Sequence, residues 1–242
     1  MADPNTVRRI ARLAGVGPGD AVVEIGAGLG SLTLALCETG AAVTAVEVDR
    51  HLVPVLAEVA EPCGARVVEG DAMALDWAAL LGPEPGAWTL VANLPYNVAT
   101  PLVLDLLAGV PAIGRMLVMV QREVGERLAA GVGHAAYGAV SVKVAYRAAA
   151  RLAGRVPAAV FVPRPRVESA LVALVRHPVP PVAADPVRLF ELVEAGFAHR
   201  RKMLRGALAG LVGPAGFAAA GVSPEARAEE LDLAAWGRLA AC

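Results

Sequence analysis

The chain has 242 residues, of which 56% are hydrophobic, so a disordered chain is excluded and one large domain with a small addition is favoured. The formal net charge is −1, so any nucleic-acid partner would have to meet a local basic surface. Three cysteines, Cys37, Cys63 and Cys242, lack CxxC or metal-ligand spacing, which is typical of reduced thiols and predicts no metal site. The sequence has no signal-peptide pattern and no apolar run of about 18 residues, so we expect a cytoplasmic protein without membrane contact.

Strand and helix patterns alternate along most of the chain. Short apolar runs bounded by turn residues predict strands, and apolar residues at three- and four-residue spacing predict helices. In chain order the patterns predict helix Asp3–Ala14, strand Ala21–Ile25, helix Ser31–Glu38, strand Ala42–Val48, helix His51–Ala60, strand Arg66–Glu69, strand Trp88–Ala92, helix Pro101–Leu107, strand Arg115–Val120, helix Arg122–Ala130, helix Val140–Ala149, strand Leu152–Val156 and strand Ser169–Arg176. This alternation predicts an α/β fold with a mostly parallel sheet and helices on both faces.

A proline-rich stretch, HPVPPVAADP at His177–Pro186, interrupts the pattern. Proline cannot continue a central strand, so this stretch predicts a linker. The residues that follow, Val187–Ala241, have no strand pattern and predict a small helical domain. We therefore expect two domains, at residues 1–178 and 179–242.

A glycine-rich loop, in the segment VVEIGAGLGSLT, follows the first predicted strand and contains Gly26, Gly28 and Gly30. Such a loop allows the backbone to approach a ligand closely at the start of a helix. A dinucleotide fingerprint would need its third glycine at the position that Ser31 occupies. The GxGxG spacing therefore fits NAD poorly and favours S-adenosylmethionine as the cofactor.

Two acidic residues end the next two predicted strands. Glu47 lies where a carboxylate can accept both ribose hydroxyls of a nucleoside cofactor, although a solvated strand-end acid is the alternative. Asp71 can accept a hydrogen bond from the adenine amino group, and Ala72 and Met73 can line the base. By itself, Asp71 is typical of a turn residue. Open α/β sheets bind ligands beyond the carboxyl ends of their strands, so together with Gly26 these positions predict one cofactor site.

The tetrapeptide Asn93-Leu94-Pro95-Tyr96 follows the fourth predicted strand, Trp88–Ala92, at the same edge of the sheet. It resembles the [DNS]-[PIL]-P-[YFW] motif of methyltransferases that act on the amino group of adenine. The Asn93 side-chain oxygen and the Leu94 carbonyl can accept the N–H bonds of such an amine and orient its lone pair toward a methyl group. Pro95 supplies no competing donor, and Tyr96 offers a face on which a flipped-out base can stack. The alternative is a capped turn between a strand and a helix.

Six segments in this order resemble the ribosomal RNA adenine N6,N6-dimethyltransferase family of the KsgA type, with Erm enzymes as its relatives. They are VVEIGAGLGSLT, VANLPYNVATPLV, VMVQREVGERLAA, YGAVSVKVAY, FVPRPRVESALVAL and HRRKMLRGAL. The resemblance implies a Rossmann-like class I methyltransferase sheet and S-adenosylmethionine-dependent dimethylation of two adjacent adenosines near the 3′ end of small-subunit (16S) rRNA. In NLPYNVATP, Leu94 at the second position, where Erm enzymes more often carry Ile, and Pro101 after Thr100, which they lack, resemble the KsgA branch more than the Erm branch.

The resemblance also assigns roles to individual residues. It implies cofactor roles for Gly26, Glu47, Asp71 and Asn93, and base stacking by Tyr96 and Phe161. Together with the reasoning above, the expected cofactor contacts are Gly26, Gly28, Glu47, Asp71, Ala72 and Asn93, and the expected catalytic residues are Asn93, Leu94, Pro95, Tyr96 and Phe161. Phe161 would sandwich the target adenine against Tyr96, unless it is simply a buried residue after a strand. Contacts to rRNA are expected at Arg164, Arg166, Arg200, Arg201, Lys202 and Arg205, although a basic run is often only a solvated face. We expect the protein to act as a monomer.

The sequence departs from the family at its start. Family members usually begin with a basic segment and Gln-Asn-Phe-Leu, whereas this chain begins MADPNTVRRI, which resembles the residues just after that segment. The resemblance implies that this segment contributes to cofactor binding and to RNA binding, so we expect its absence to affect the affinity for both. Two alternatives stay open: an Erm-type methyltransferase of 23S rRNA, and a ribosome-assembly binding factor whose catalysis is weak because this segment is absent.

Overall fold

The structure is a computed structural model that describes residues 3–162, 164–199 and 201–242. The strands are β1 (Ala21–Ile25), β2 (Ala42–Glu47), β3 (Arg66–Glu69), β4 (Trp88–Asn93), β5 (Ile113–Gln121), β6 (Ala148–Val156) and β7 (Ser169–Arg176). The α-helices are α1 (Pro4–Ala14), α2 (Ser31–Cys37), α3 (Val53–Ala60), α4 (Trp77–Leu81), α5 (Ala99–Gly109), α6 (Arg122–Ala129), α7 (Ala139–Arg147), α8 (Pro186–Ala198), α9 (Leu204–Ala207), α10 (Pro214–Ala220) and α11 (Leu233–Ala240). Within these ranges no helix is long and apolar enough to cross a membrane.

The seven strands form one sheet in the order β3-β2-β1-β4-β5-β7-β6. Strands β1 to β5 pair in parallel, whereas β7 runs antiparallel to β5. Ile25 at the end of β1 lies opposite Val46 of β2 and Ala92 of β4. The residues that follow these three strands therefore share one edge of the sheet, where open α/β sheets bind ligands. The predicted fold class is confirmed.

Most elements differ from their predicted bounds by one or two residues at an end, as β4 does by ending at Asn93 and not at Ala92, and four differences are larger or change the kind of element. Helix α4 was not predicted, because its five residues are too short to show helical periodicity. The predicted helix Val140–Ala149 ends at Arg147, since Ala148 adopts the extended φ of −153° and begins β6. Strand β6 is therefore longer than the predicted Leu152–Val156. The predicted linker ends at Asp185, whose side chain accepts from the N–H groups of Val187 and Arg188 at the start of α8.

The described residues form two compact units. The first comprises residues up to Gly125 together with Ala150–Arg176, and the second comprises Glu126–Ala149 together with His177–Cys242. The second unit thus contains a segment that the sequence had assigned to the first domain. The reason is packing, because Tyr137, Val142 and Tyr146 are buried in the same hydrophobic core as side chains of α8 and α11. The domain boundary between residues 178 and 179 stays a prediction.

Candidate active site

The glycine-rich loop is held between β2 and β4. The N–H groups of Gly26 and Ala27 donate to the Val46 carbonyl at 2.9 and 3.3 Å. Gly26 has a φ of 72°, and a Cβ atom there would lie 3.7 Å from the Asn93 carbonyl oxygen. A side chain at this position would be strained and would narrow the gap to β4. The loop therefore lies directly beside the first residue of the NLPY turn.

Two cavities in the first unit share Gly26 as a lining residue. The larger, of about 350 Å³, is lined by residues that include Glu24, Gly28, Ser31, Asn93 and Val162. A Cβ atom at Gly28, where φ is 59°, would meet nothing within 4 Å, so the loop faces open space there. Because Glu24, Ser31 and Asn93 contribute to its lining, the larger cavity is the more polar of the two.

The smaller cavity, of about 260 Å³, is mostly apolar. Its lining contains the predicted residues Asp71, Ala72 and Met73, together with Pro95 and Leu102. Asp71 Oδ1 accepts from the Met73 N–H at 2.9 Å, so Asp71 also forms the turn that was its alternative explanation. Apolar walls with one carboxylate at the rim suit a flat heterocyclic base with an exocyclic amine.

Glu47 is buried and is held by the backbone around it. Its Oε2 accepts from the Gly28 N–H at 2.7 Å, and its Oε1 accepts from the N–H groups of Val48 and Asp49, both at 2.9 Å. A carboxylate has about four acceptor positions, so about one is left for a ligand. Two ribose hydroxyls would fit only if a backbone bond, such as that from Gly28, gave way. The sequence did not predict that Glu47 ties the glycine-rich loop to β2.

The NLPY turn leaves two acceptors open. The Leu94 N–H continues the sheet by donating to the Met119 carbonyl at 3.0 Å, and the Pro95 carbonyl accepts from Val98 and Ala99 at the start of α5. Among the described residues, neither the Asn93 side-chain amide nor the Leu94 carbonyl has a hydrogen-bond partner. The turn therefore does connect β4 to α5, which was the alternative interpretation. It also keeps the Asn93 amide oxygen and the Leu94 carbonyl as the two acceptors that an amine would need.

Tyr96 is anchored to the start of β7, which lies at the same edge of the sheet as the NLPY turn. Its hydroxyl lies 3.2 Å from Oγ of Ser169, which is 1% exposed at the start of β7. The preceding residue, Glu168, pairs with Arg122 at 3.2 Å at the end of β5. The hydroxyl contact links the NLPY turn to the start of β7. Sequence reasoning missed Ser169, although a serine that begins an otherwise apolar strand was a visible signal.

Phe161 and Val162 occupy different surroundings. Phe161 is partly buried and packs against the hydrophobic core of the first unit, which was the alternative to a stacking role. Within the described part of the chain no ring contact joins it to Tyr96. Val162, which is 81% exposed, lines the larger cavity instead. The stacking role of Phe161 stays a prediction.

The basic residues expected to meet RNA are exposed where the structure describes them. Arg164 and Arg166 are exposed in the loop before β7 of the first unit. Arg201, Lys202 and Arg205 are exposed in the second unit, where Arg205 lies 3.8 Å from the exposed Glu225. Arg200 lies outside the described residues.

Glu24 is a buried acid in the middle of β1, and sequence reasoning gave it no role. It is 2% exposed, and its Oε2 accepts from the Thr33 hydroxyl at 2.6 Å. Burial raises the pKa of Glu24 from its usual value near 4.5 to about 7, against the lowering effect of Thr33 and with a smaller contribution from the charge of Glu47. An acid within the apolar run AVVEI was the signal that could have found it.

Replacing Glu24 tests this buried charge. Because its pKa is raised on folding, the folded state binds the proton more tightly, and stability falls as the pH rises from about 4.5 to 7. Glu24→Gln should therefore match the wild type at pH 5 and exceed its free energy of unfolding by about 2 to 3 kcal/mol at pH 8. Urea unfolding at both pH values measures this. An equal difference at the two pH values would contradict the assignment.

Many families share this α/β fold, and a comparison with known proteins shows to which of them the chain belongs. The model of the family described as "Ribosomal RNA adenine dimethylase" matches residues 1–241. The chain belongs to the ribosomal RNA adenine dimethylase family. This confirms the predicted family, the enzyme class of rRNA adenine N6-methyltransferase, and S-adenosylmethionine as the methyl donor.

Individual relatives agree with the family. Ribosomal RNA small subunit methyltransferase A of Kineococcus radiotolerans is 50% identical over 100% of this chain and 82% of its own length. The protein of the same name from Thermobifida fusca is 50% identical over 99% of this chain and 86% of its own.

Two solved structures match nearly the whole chain. A dimethyladenosine transferase from Plasmodium falciparum has a TM-score of 0.81 at 22% identity, covering 99% of this chain and 95% of its own. The 23S rRNA methyltransferase ErmE has a TM-score of 0.77 at 25% identity, covering 99% and 97%. Both agree with the α/β fold described above.

Proposed function

We propose that this protein dimethylates the N6 amino groups of two adjacent adenosines near the 3′ end of small-subunit (16S) rRNA during ribosome biogenesis. Family membership and the small-subunit names of relatives at 50% identity support this target. The observation that carries the proposal is the position of the NLPY turn beside the glycine-rich loop, with the Asn93 carbonyl 3.7 Å from the Cβ position of Gly26. We further propose that the protein works as a cytoplasmic monomer.

The lining of the two cavities fits S-adenosylmethionine. The smaller cavity, with Asp71 at its rim and Ala72 in its wall, would hold the adenine. The larger cavity, bordered by Gly28 and the buried Glu24, would hold the charged amino-acid end. Gly26 borders both cavities, so the sulfonium between the two ends would lie close to Asn93.

The turn residues would prepare the amine for transfer. When bound, S-adenosylmethionine supplies an electrophilic methyl group on a sulfonium. The Asn93 side-chain oxygen and the Leu94 carbonyl, both without partners in the described chain, would accept the N–H bonds of the target amine and direct its lone pair toward that methyl group. After transfer the target nitrogen would release a proton, and this release would need no strong base because the nitrogen becomes acidic once it carries the methyl group. Positioning and electrostatics would thus supply most of the acceleration.

Aromatic and basic residues would hold the RNA. Tyr96, with its hydroxyl anchored on Ser169, would stack on the flipped-out adenine, and Phe161 would support the base from the loop before β7. Contacts to phosphate are assigned to the exposed residues of both units, namely Arg164, Arg166, Arg201, Lys202 and Arg205, and to Arg200.

One experiment separates this proposal from its two alternatives. Labelled S-adenosylmethionine would be supplied with undermethylated small subunits and, in parallel, with 23S rRNA, and the modified nucleoside would be identified by mass. Dimethyladenosine in the small-subunit RNA is expected. Transfer to 23S rRNA alone would favour an Erm-type enzyme, for which the match to ErmE provides the structural argument. Binding to small subunits without transfer would identify an assembly factor.

Glu47 provides a test of the cofactor site. Glu47→Gln keeps the acceptor oxygen for one backbone N–H but removes the negative charge, so the cofactor Kd should rise by about tenfold or more, because charge-assisted hydrogen bonds are about twice as strong as neutral ones. Calorimetric titration with S-adenosylmethionine measures the effect. Glu69→Gln, at the exposed end of the neighbouring strand β3, is the matched control and should leave the Kd unchanged. An unchanged Kd for Glu47→Gln would remove the ribose assignment.

A further inference from the structure

Helix α1 and strand β6 carry, besides Arg8, four exposed arginines outside the site described above. They are Arg9 and Arg12 on α1, and Arg151 and Arg155 on β6, and we call them the arginine face. Neither element contains an aspartate or a glutamate. The whole chain has a net charge of −1, so this concentration of positive charge is a local property of the first unit.

The two elements are joined at this face by Arg9. Its Nη1 donates to the Arg155 carbonyl at 3.0 Å. The strand makes room for the guanidinium at Gly154, where a Cβ atom would collide with Nη2 of Arg9. Arg12 is a neighbour of Arg9 on the helix surface at i+3 spacing. The charges of the helix are therefore placed next to those of the strand.

The charges of this face are not neutralised by carboxylates in the part of the chain that the structure describes. Among the described residues none of the four arginines forms an ion pair. Arg8 also lies on α1, but it borders a cavity together with Glu38 and is left out of the face for that reason. Exposed arginines without carboxylate partners suit a polyanion, because the planar guanidinium matches phosphate oxygens with two parallel hydrogen bonds.

We propose that the arginine face binds the phosphate backbone of the substrate rRNA, outside the segment that enters the active site. The choice of RNA as the polyanion rests on the proposed function. Contacts of this kind position the protein on the RNA without reading its sequence. They also release counterions, so each contact steepens the dependence of affinity on salt.

The test measures binding of the full chain to undermethylated small subunits over a range of salt concentrations. Two double variants are compared, Arg9→Gln with Arg12→Gln and Arg151→Gln with Arg155→Gln, together with their combination. With four phosphate contacts, the combined variant should reduce the slope of log affinity against log salt by about 3, and each double variant by about half of that. The β6 pair leaves the Arg9 hydrogen bond to the Arg155 backbone carbonyl intact, so it reports on charge without loss of that bond.

The matched control removes the same charge elsewhere on the same sheet. Arg66→Gln with Arg115→Gln changes two exposed arginines on β3 and β5, and should leave the slope unchanged. Affinity for S-adenosylmethionine and turnover at saturating small subunits should be the same in all variants. A combined variant with the slope of the control would overturn the proposal. Loss of binding to anionic lipid vesicles with an unchanged RNA slope would also overturn it, in favour of a membrane surface.

The two proposals can fail separately. A wild-type protein that methylates no rRNA, while the variants still reduce the slope of rRNA binding, would remove the proposed function and leave the arginine face. Methylation of small-subunit rRNA by the wild type, with unchanged salt slopes in the variants, would retain the proposed function and remove the arginine face.

Discussion

Asn93→Ala is expected to reduce methyl transfer to rRNA by a factor of about 10² to 10³ while the fold is retained. The variant removes a side-chain acceptor that would orient the target amine, and the loss of one preorganised group at a reacting atom has an effect of about this size. Asn93 is the last residue of β4 and its side chain has no partner among the described residues, so truncation leaves no buried group unsatisfied. Single-turnover rates at saturating S-adenosylmethionine measure the chemical step.

Two further variants sharpen the test of Asn93. Asn93→Asp keeps an acceptor oxygen in place and should retain more transfer than Asn93→Ala. Asn5→Ala, on the exposed surface of α1, is a control for the loss of an amide and should leave transfer unchanged. Near-normal turnover in Asn93→Ala would rule out the proposed role of this side chain.

Arg176→Met is expected to lower the free energy of unfolding by about 3 to 4 kcal/mol, because it removes hydrogen bonds from a charged group to several carbonyls. The guanidinium donates to the carbonyls of Leu106, Leu107 and Val110 at the end of α5, and to that of Ile113 on β5, at 2.8 to 3.0 Å. The positive charge also compensates the negative end of the α5 dipole. Since α5 follows the NLPY turn, this residue holds the helix that supports the proposed site.

Chemical denaturation of Arg176→Met would be compared with that of Arg115→Met. Arg115 is also on the first unit, but its partner Asp20 is 3.8 Å away and both side chains are about half exposed, at 46% and 44%. Exposed pairs of this kind contribute about 1 kcal/mol or less. Equal losses in the two variants would show that the four carbonyl contacts of Arg176 do not stabilise the fold beyond an ordinary surface arginine.

The position of the cofactor site was predictable because it depends on chain order and on strand ends. Strands β1, β3 and β7 have the predicted bounds, since each is an apolar run that ends at glycine, proline or charged residues. Strands β1, β3 and β4 are parallel, so their carboxyl ends must share an edge, and Gly26, Asp71 and Asn93 come together there without any knowledge of side-chain packing.

Contacts between residues far apart in the chain were not predictable in this way. The Tyr96–Ser169 contact joins residues separated by 73 positions, and the Arg9–Arg155 contact spans 146. Local periodicity carries no information about which side chains meet across such distances. The burial of Phe161 against the core, and the turn of Glu47 toward the Gly28 N–H, depend on the same packing.

By itself the sequence determined the family, through the resemblance of its motifs. It also determined the α/β fold and the edge of the sheet at which the motifs gather, because apolar periodicity and glycine spacing are local properties. The tertiary structure alone decided the placement of Glu126–Ala149 in the second unit and the burial of the Glu24 carboxyl. It also joined α1 to β6 at the arginine face. These features depend on the surroundings that the folded chain creates around each residue, because burial and contact are properties of three-dimensional packing.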